Sequence, residues 1–417
     1  MSISSTLSYL GSAIALALAA AGGACDGSSP SAAPPDETGG QPASHAPAAP
    51  TQLAATGSLH HIALRWAAST GATGYHVYRS AGAGAAPIRL TGAPTAATSY
   101  DDPIASPAGD GVLYTYEVTA VGDGESPPSN AARTMHGTRL EATYLRGHTR
   151  PELSPYVAEH ARTVMVATFS VDPGTALYVL DGAVIDFESS QYPESGYAPP
   201  LLDVQGLIRA TPSSAAPATF TAHRHDGGAL HDGEGFKLVF RGVPYNPADG
   251  SGSLLEHVQI DHLDAGISNI RRGGLTIAGG GLRIHDAKLT GATRDGLSWL
   301  SVQLGTWVIL DDSYLDRIGL SISTDVSTTP FSVTRNVFRH AASVHLDPAG
   351  TVVVAPGQIA GNDLDGVAPP SSGIPLGNNY WAGAPGSPPL PSLLSDPSGL
   401  YIPGPPLASP PPAGPDW

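Results

Sequence analysis

The sequence predicts an all-β chain: a small antiparallel sandwich followed by a long solenoid of stacked coils. Three observations carry this. Gly and Pro number 50 and 40 among 417 residues, so turns are dense and long helices disfavoured. Between residues 50 and 137 apolar and polar residues alternate, the period of an extended chain with one buried face. Further on, an apolar-x-apolar pair returns with a period in the low twenties, too short for a domain and right for one coil of a solenoid.

Composition narrows the function. Charged residues make up 13 % of the chain, against about a quarter in ordinary domains. The formal net charge is -16, which repels polyanions and excludes nucleic acid as an expected partner. Neutral glycans and calcium are compatible with it, and no other cofactor is expected.

Residues 1–25 read as an export signal. The apolar run from Ala13 to Ala24 is too short to span a bilayer and suits a signal-peptide core. Small residues then lead to Cys25, the one Cys of the chain. This stretch resembles a bacterial lipoprotein signal, although Gly22 stands where that family usually has Leu. The resemblance implies lipid on Cys25, a membrane anchor, and a place in the cell envelope or at the cell surface. An ordinary secretory signal is the alternative. With a single Cys no internal disulfide forms, so packing or bound ions must stabilise the fold. Residues 26–49 are rich in Pro, Ala, Ser and Gly and predict an extended tether.

Residues 50–137 form the first module. Ile62, Leu64 and Trp66 alternate with polar or small residues, as do Tyr75 with Val77, and Tyr114 with Tyr116, Val118 and Ala120. Short strands broken by Gly/Pro turns predict an antiparallel sandwich. The segments Tyr75 to Arg79, Tyr114 to Val121 and Ser126 to Ser129, with Trp66, resemble a fibronectin type III domain. That likeness implies Trp66 as the core plug and Tyr114 as the corner tyrosine.

Residues 138–383 form the larger module. Its opening, around Tyr156, Val157, His160 and Ala161, predicts a short amphipathic capping helix before a strand. The recurring pairs are Leu238–Phe240, Val258–Ile260, Leu282–Ile284, Val308–Leu310, Phe331–Val333 and Val352–Val354. A coil of this length cannot bury its own apolar face, so neighbours must stack, in about eight coils. The segments GLIRATPSSAAPATFTAHR, GEGFKLVFRG, LLEHVQIDHLDAGI and GNNYWAG resemble right-handed parallel β-helices of the pectin-lyase-like superfamily. The likeness implies the fold. It leaves activity open, because that fold hosts lyases, hydrolases and non-enzymatic surface proteins. Residues 384–417 are a Pro-rich tail.

Polar residues between the apolar positions supply the candidate sites. With Val258 and Ile260 inward, Asp261 points outward and stacks on His285 and then Asp311, beside Arg283. This ladder suits acid–base chemistry or a cation, and equally a charge-alternating wet surface. Ile-Asp-His at 260–262 occurs in pectate lyases, but Gln259 replaces their Trp and their Arg-x-Pro-x-x-Arg segment is missing. Arg271 and Arg272 suit acidic sugars, and Trp299, Trp307 and Tyr314 suit stacking on sugar rings. The cluster HRHDGGALHDG places His223, His225, His231, Asp226 and Asp232 together, a metal-ligating set or an exposed loop. The expected function is non-enzymatic: a β-helix surface that binds polysaccharide or an envelope component. A polysaccharide lyase or hydrolase using Asp261, His285, Asp311 and Arg283 is the second expectation, and a structural spacer the third. The oligomeric state is not predicted.

Overall fold

The computed structural model describes residues 46–362, apart from 83, 104–110, 142–144, 190–198, 231–233, 264–273, 292–297, 304, 324–325, 327, 340–343, 347–358 and 361. The export signal with Cys25, the Pro-rich tail, Arg271, Arg272, His231 and Asp232 lie outside the described residues, as does the pair Val352–Val354.

The first module is a fibronectin type III-like sandwich. Thr51–Gly57, Ile62–Ala67 and Ser99–Asp102 form one antiparallel sheet. Ile88–Arg89, Gly74–Ala81, Tyr114–Val121 and Ala132–Thr134 form the other. Strand alternation sends Ile62, Leu64, Trp66, Val77, Tyr116 and Val118 between the sheets, where they are buried. Trp66 meets Tyr75 edge-on at 5.5 Å. Buried Asp102 is satisfied by Arg79 and by the Tyr116 hydroxyl, each at 2.8 Å.

The second module is a parallel β-helix with three ladders. A nine-stranded sheet makes the first ladder. The second and third ladders share a fourteen-stranded sheet, because the long strand Arg162–Val171 turns from one into the other. Seven coils place a strand on every ladder among the described residues. Each coil sends the same position inward. On the first ladder Ala158, Val179, Ala210, Leu255, Ile284, Leu310, Val333 and Ile359 pair in one line, none more than 2 % exposed. The second ladder lines up Ile185, Phe220, Ile260, Leu289, Leu315 and Phe338. The third lines up Val171, Val204, Phe240, Ile277, Val302 and Ile322. The predicted capping helix is not formed. Tyr156–Ala158 is a strand of the first ladder, and only Pro151–Leu153 makes a 3₁₀ turn. All three side chains of that strand are buried, which a one-faced helix cannot achieve.

Corners between the ladders need polar backbone groups satisfied inside the coil. Buried Ser313, Asn336 and Asn362 do this in sequence. The Ser313 amide donates to Asn336 Oδ1, and the Asn336 amide to Asn362 Oδ1. Asn336 Nδ2 donates to Leu310 O and Asn362 Nδ2 to Val333 O.

Sandwich and helix are joined by a short, heavily bonded segment. Arg139 donates to Gly57 O and Thr134 Oγ1 and is ion-paired with Glu159 at 2.6 Å. Met135, Val157, Tyr178 and Leu180 pack into one apolar cluster across the junction.

Within the coil interior Phe187 stacks on Phe236 at 4.0 Å, both fully buried. Phe187→Ala removes this contact and leaves a cavity, so the unfolding free energy from a denaturant titration should fall by about 3–5 kcal/mol. A loss below about 1 kcal/mol would mean that this ring does not sit in the core.

Candidate functional site

The first ladder carries the His285, Asp311 and Asp312 cluster, whose ligand atoms lie together among the described residues. With Leu255, Ile284 and Leu310 inward, the flanking positions face outward. Leu254, Arg283 and Ile309 form one outward column, and Glu256, His285, Asp311 and Thr334 form the next. Consecutive rungs are ~4.8 Å apart, so each side chain in a column stands beside the next. One residue further, at the corner into the second ladder, His257, Asp286, Asp312 and Arg335 have φ of 51, 47, 53 and 57°. The left-handed backbone costs a non-glycine residue roughly 1–2 kcal/mol, and it makes the sharp bend that keeps successive corners in register.

Apart from Glu256, the charges in these three columns pair off. Arg283 holds Asp311 with two arms, Nη2 at 2.9 Å and Nε at 3.3 Å. Its third arm, Nη1, donates to the Tyr245 hydroxyl at 3.1 Å, and the guanidinium lies 5.6 Å from the centre of that ring. Arg335 grips Asp312 at 2.5 and 2.7 Å. His257 donates from Nδ1 to Pro212 O at 2.9 Å, and its Nε2 lies 3.0 Å from Asp286. His285 Nδ1 lies 3.0 Å from Asp311 Oδ2 and 3.6 Å from Asp312 Oδ2. The first contact lacks the alignment of a hydrogen bond and counts as an ion pair.

Burial pushes the Asp311 carboxyl up, but His285 and Arg283 outweigh it and hold the carboxyl below its ordinary value. The Asp311 carboxylate raises His285, against the opposing effect of burial, and Glu256 adds a smaller push the same way. His285, Asp311 and Asp312 bring ligand atoms within 4.8 Å of one another, close enough for an ion. Both carboxylates are already gripped by guanidinium groups, so a cation entering there must displace Arg283 and Arg335. A metal is a poor fit at this cluster.

The structure corrects the expected ladder. Asp261 is not in the column with His285 and Asp311. It lies on Val258–Leu263, a strand of the second ladder, beside the pair Ile260↔Leu289, and accepts a hydrogen bond from Gln259. Glu256 occupies the rung assigned to it. The stretch LLEHVQIDHL spans two ladders, with the bend at His257. Sequence reading also missed His257, Asp312, Arg335 and Tyr245. The Asp-Asp at 311–312 was the visible clue.

The three aromatic residues expected to suit sugar stacking do not share one face. Trp307 is on the first ladder, Tyr314 on the second and Trp299 on the third. Trp307 packs against the coil interior and lies over Gly281, where any Cβ would strike its ring. The Trp299 ring covers Gly319 in the same way.

A cleft of about 860 Å³ opens between the sandwich and the first ladder. Arg133, Tyr178, Arg209, Thr211, Glu256 and His257 line it. Arg133 is tied to Asp181 at 3.2 Å. Arg209 spends Nη1 on Gly250 O and Gly252 O and has no carboxylate partner among the described residues. Half-buried Glu256 makes no hydrogen bond or ion pair among the described residues. Glu256 is the residue of the Glu256–His285–Asp311 column that lines the cleft.

The signs of the two shifts define a stability window. Asp311, depressed, contributes stability above its ordinary 3.8 that is lost as pH falls through its folded value. His285, raised, contributes stability below its ordinary 6.5 that is lost as pH rises through its folded value. The pair should therefore stabilise most between those two values. Melting temperature against pH for the wild type and His285→Gln should differ most inside that window and converge on its alkaline side. Parallel curves throughout would contradict the pairing.

No protein-family model matches the chain, and no curated protein does. Among solved structures, an Fn3-like protein from Clostridium thermocellum is 33% identical, over 21% of this chain and 92% of its own, with a TM-score of 0.19. A β-1,2-glucanase from Parabacteroides distasonis is 26% identical over 22% of this chain and 13% of its own, also at 0.19. The protein FN3tt is 22% identical over 22% of this chain and 96% of its own, again at 0.19. Likenesses of that extent carry no argument about what this chain does.

Proposed function

We propose that this is an exported, lipid-anchored envelope protein whose β-helix binds polysaccharide, with the cleft at the sandwich junction as its principal subsite. The supporting observation is that cleft. It combines apolar surface from Tyr178 and Leu207 with Arg209 and Glu256, neither of which has an ion-pair partner among the described residues. A sugar presents apolar C–H faces and a rim of hydroxyls, and such mixed walls suit it. A cleft where two modules meet is also a usual place for a ligand. The membrane anchor at Cys25 belongs to this reading and rests on the sequence alone. So does the tie to pectin-lyase-like helices.

An enzymatic reading has one observation in its favour. Glu256 is a half-buried carboxylate with no guanidinium partner among the described residues, beside His285 on the next rung. Asp311, locked by Arg283, is not available as a base.

The full chain, mixed with neutral and acidic polysaccharides with and without calcium, should co-elute on size-exclusion chromatography with one polymer of unchanged length. Arg209→Ala should weaken that binding about 10- to 100-fold, the size of a lost charged hydrogen bond. Polymer shortening abolished by Glu256→Gln would replace binding with catalysis. Co-elution with none would leave a spacer.

A further inference from the structure

A second cluster sits on the second ladder, away from the cleft residues. The neighbouring strands Val184–Ser189 and Ala218–Arg224 run parallel with Glu188 opposite His223. Phe187 and Ala222 point inward and are buried, so Asp186, Glu188 and His223 point outward, with His225 just past the strand. Alternation thus sets Asp-x-Glu on one rung beside His-x-His on the next, with Asp186 reaching His223 and Glu188 lying between His223 and His225.

Hydrogen bonding sets the state of His223. Its Nδ1 lies 2.7 Å from Asp186 Oδ1. A carboxylate only accepts, so Nδ1 carries the proton and donates. Arg162 also holds Asp186, and its own 3.4 Å approach to the same Nδ1 is donor against donor. Asp186 is 3 % exposed beneath Arg162 and His223, so this orientation is fixed. In the neutral ring the lone pair is then on Nε2, which faces Glu188 Oε2 at 3.7 Å, too far for a hydrogen bond. The other oxygen, Glu188 Oε1, lies 2.6 Å from His225 Nδ1. Glu188 pairs with no Arg or Lys among the described residues.

A carboxylate that fixes one imidazole nitrogen while the other faces an open gap is the support found behind metal-ligating histidines. Two ligand atoms on one tetrahedral zinc, with bonds of ~2.0–2.1 Å, lie ~3.4 Å apart. The 3.7 Å gap is within a few tenths of that. Here, unlike at Asp311 and Asp312, no guanidinium occupies the ligand carboxylate. We infer that Glu188, His223 and His225 bind a divalent first-row transition ion of the zinc class, with Asp186 as the positioning residue. His225, 58 % exposed in a turn, gives up its bond to Glu188 and turns onto the ion. Two imidazoles and one carboxylate match such ions. Calcium, which takes an oxygen shell, does not fit.

The test is calorimetric titration of Zn²⁺ into the chelator-stripped full chain, with Co²⁺ absorption as a second readout. One ion per chain should bind, and the Co²⁺ spectrum should be that of a low-coordinate nitrogen–oxygen site. Glu188→Gln and His223→Ala should each weaken binding at least 100-fold, and Asp186→Asn about 10- to 100-fold. His225→Ala changes an exposed turn residue and keeps the test open if the others misfold, as judged by circular dichroism. His148→Ala removes an exposed His–Asp pair elsewhere and should change nothing. Absence of stoichiometric binding would overturn the proposal. So would binding that survives Glu188→Gln and His225→Ala, or that is lost only in His285→Ala.

Discussion

Everything in the larger module depends on one constraint: no coil can bury its apolar residues without the next. A single three-strand coil exposes both edges of its backbone and leaves its interior open at top and bottom. Stacking closes both at once. The line from Ala158 through Leu255 and Ile284 to Ile359 is the visible result, a continuous apolar column with parallel hydrogen bonds beside it. Stability is thus shared between neighbours rather than held in one central core. The tightly bonded junction at Arg139 and Met135 caps the first coils with the sandwich in place of water.

The same stacking dictates what happens outside. Outward side chains recur every ~4.8 Å, so like charges in one column repel and opposite charges pair. The first ladder meets this by alternation: His285 against Asp311, Arg283 across to Asp311, Asp312 against Arg335. Buried carboxylates are costly alone and acceptable with such partners. The second ladder answers differently. Arg162 neutralises Asp186, the deep carboxylate, and leaves Glu188 between two imidazoles. One geometry therefore yields two clusters with opposite chemistry, one filled with fixed cations and one open to a free cation.

Much of this was legible in the sequence. Alternating aromatics gave the sandwich its inward positions: Trp66, Tyr75, Val77 and Tyr116 are all buried. A period in the low twenties announced a solenoid. Register was not legible, for a physical reason. Every coil has three strands, each with an apolar-x-apolar pair, and the period is the same whichever is followed. Leu238–Phe240 belongs to the third ladder, Val258–Ile260 to the second and Leu282–Ile284 to the first. Glu256 was hidden because both preceding residues, Leu254 and Leu255, are apolar and break the alternation. The corner residues His257 and Arg335 adopt left-handed backbone that Gly or Asn normally signals. His285, Asp311 and Arg283 were found together because all three sit on consecutive strands of one ladder.

The register is tested most directly by cross-linking. Facing residues on adjacent rungs have Cα atoms ~4.8 Å apart, inside the 4.4–6.8 Å range a disulfide spans. In a Cys25→Ser background, Glu256→Cys with His285→Cys should oxidise to an intramolecular disulfide, read by mass spectrometry of the linked peptides. Asp261→Cys with His285→Cys should stay reduced. A link between 261 and 285, with 256 and 285 left free, would contradict the three-ladder register and the cluster built on it.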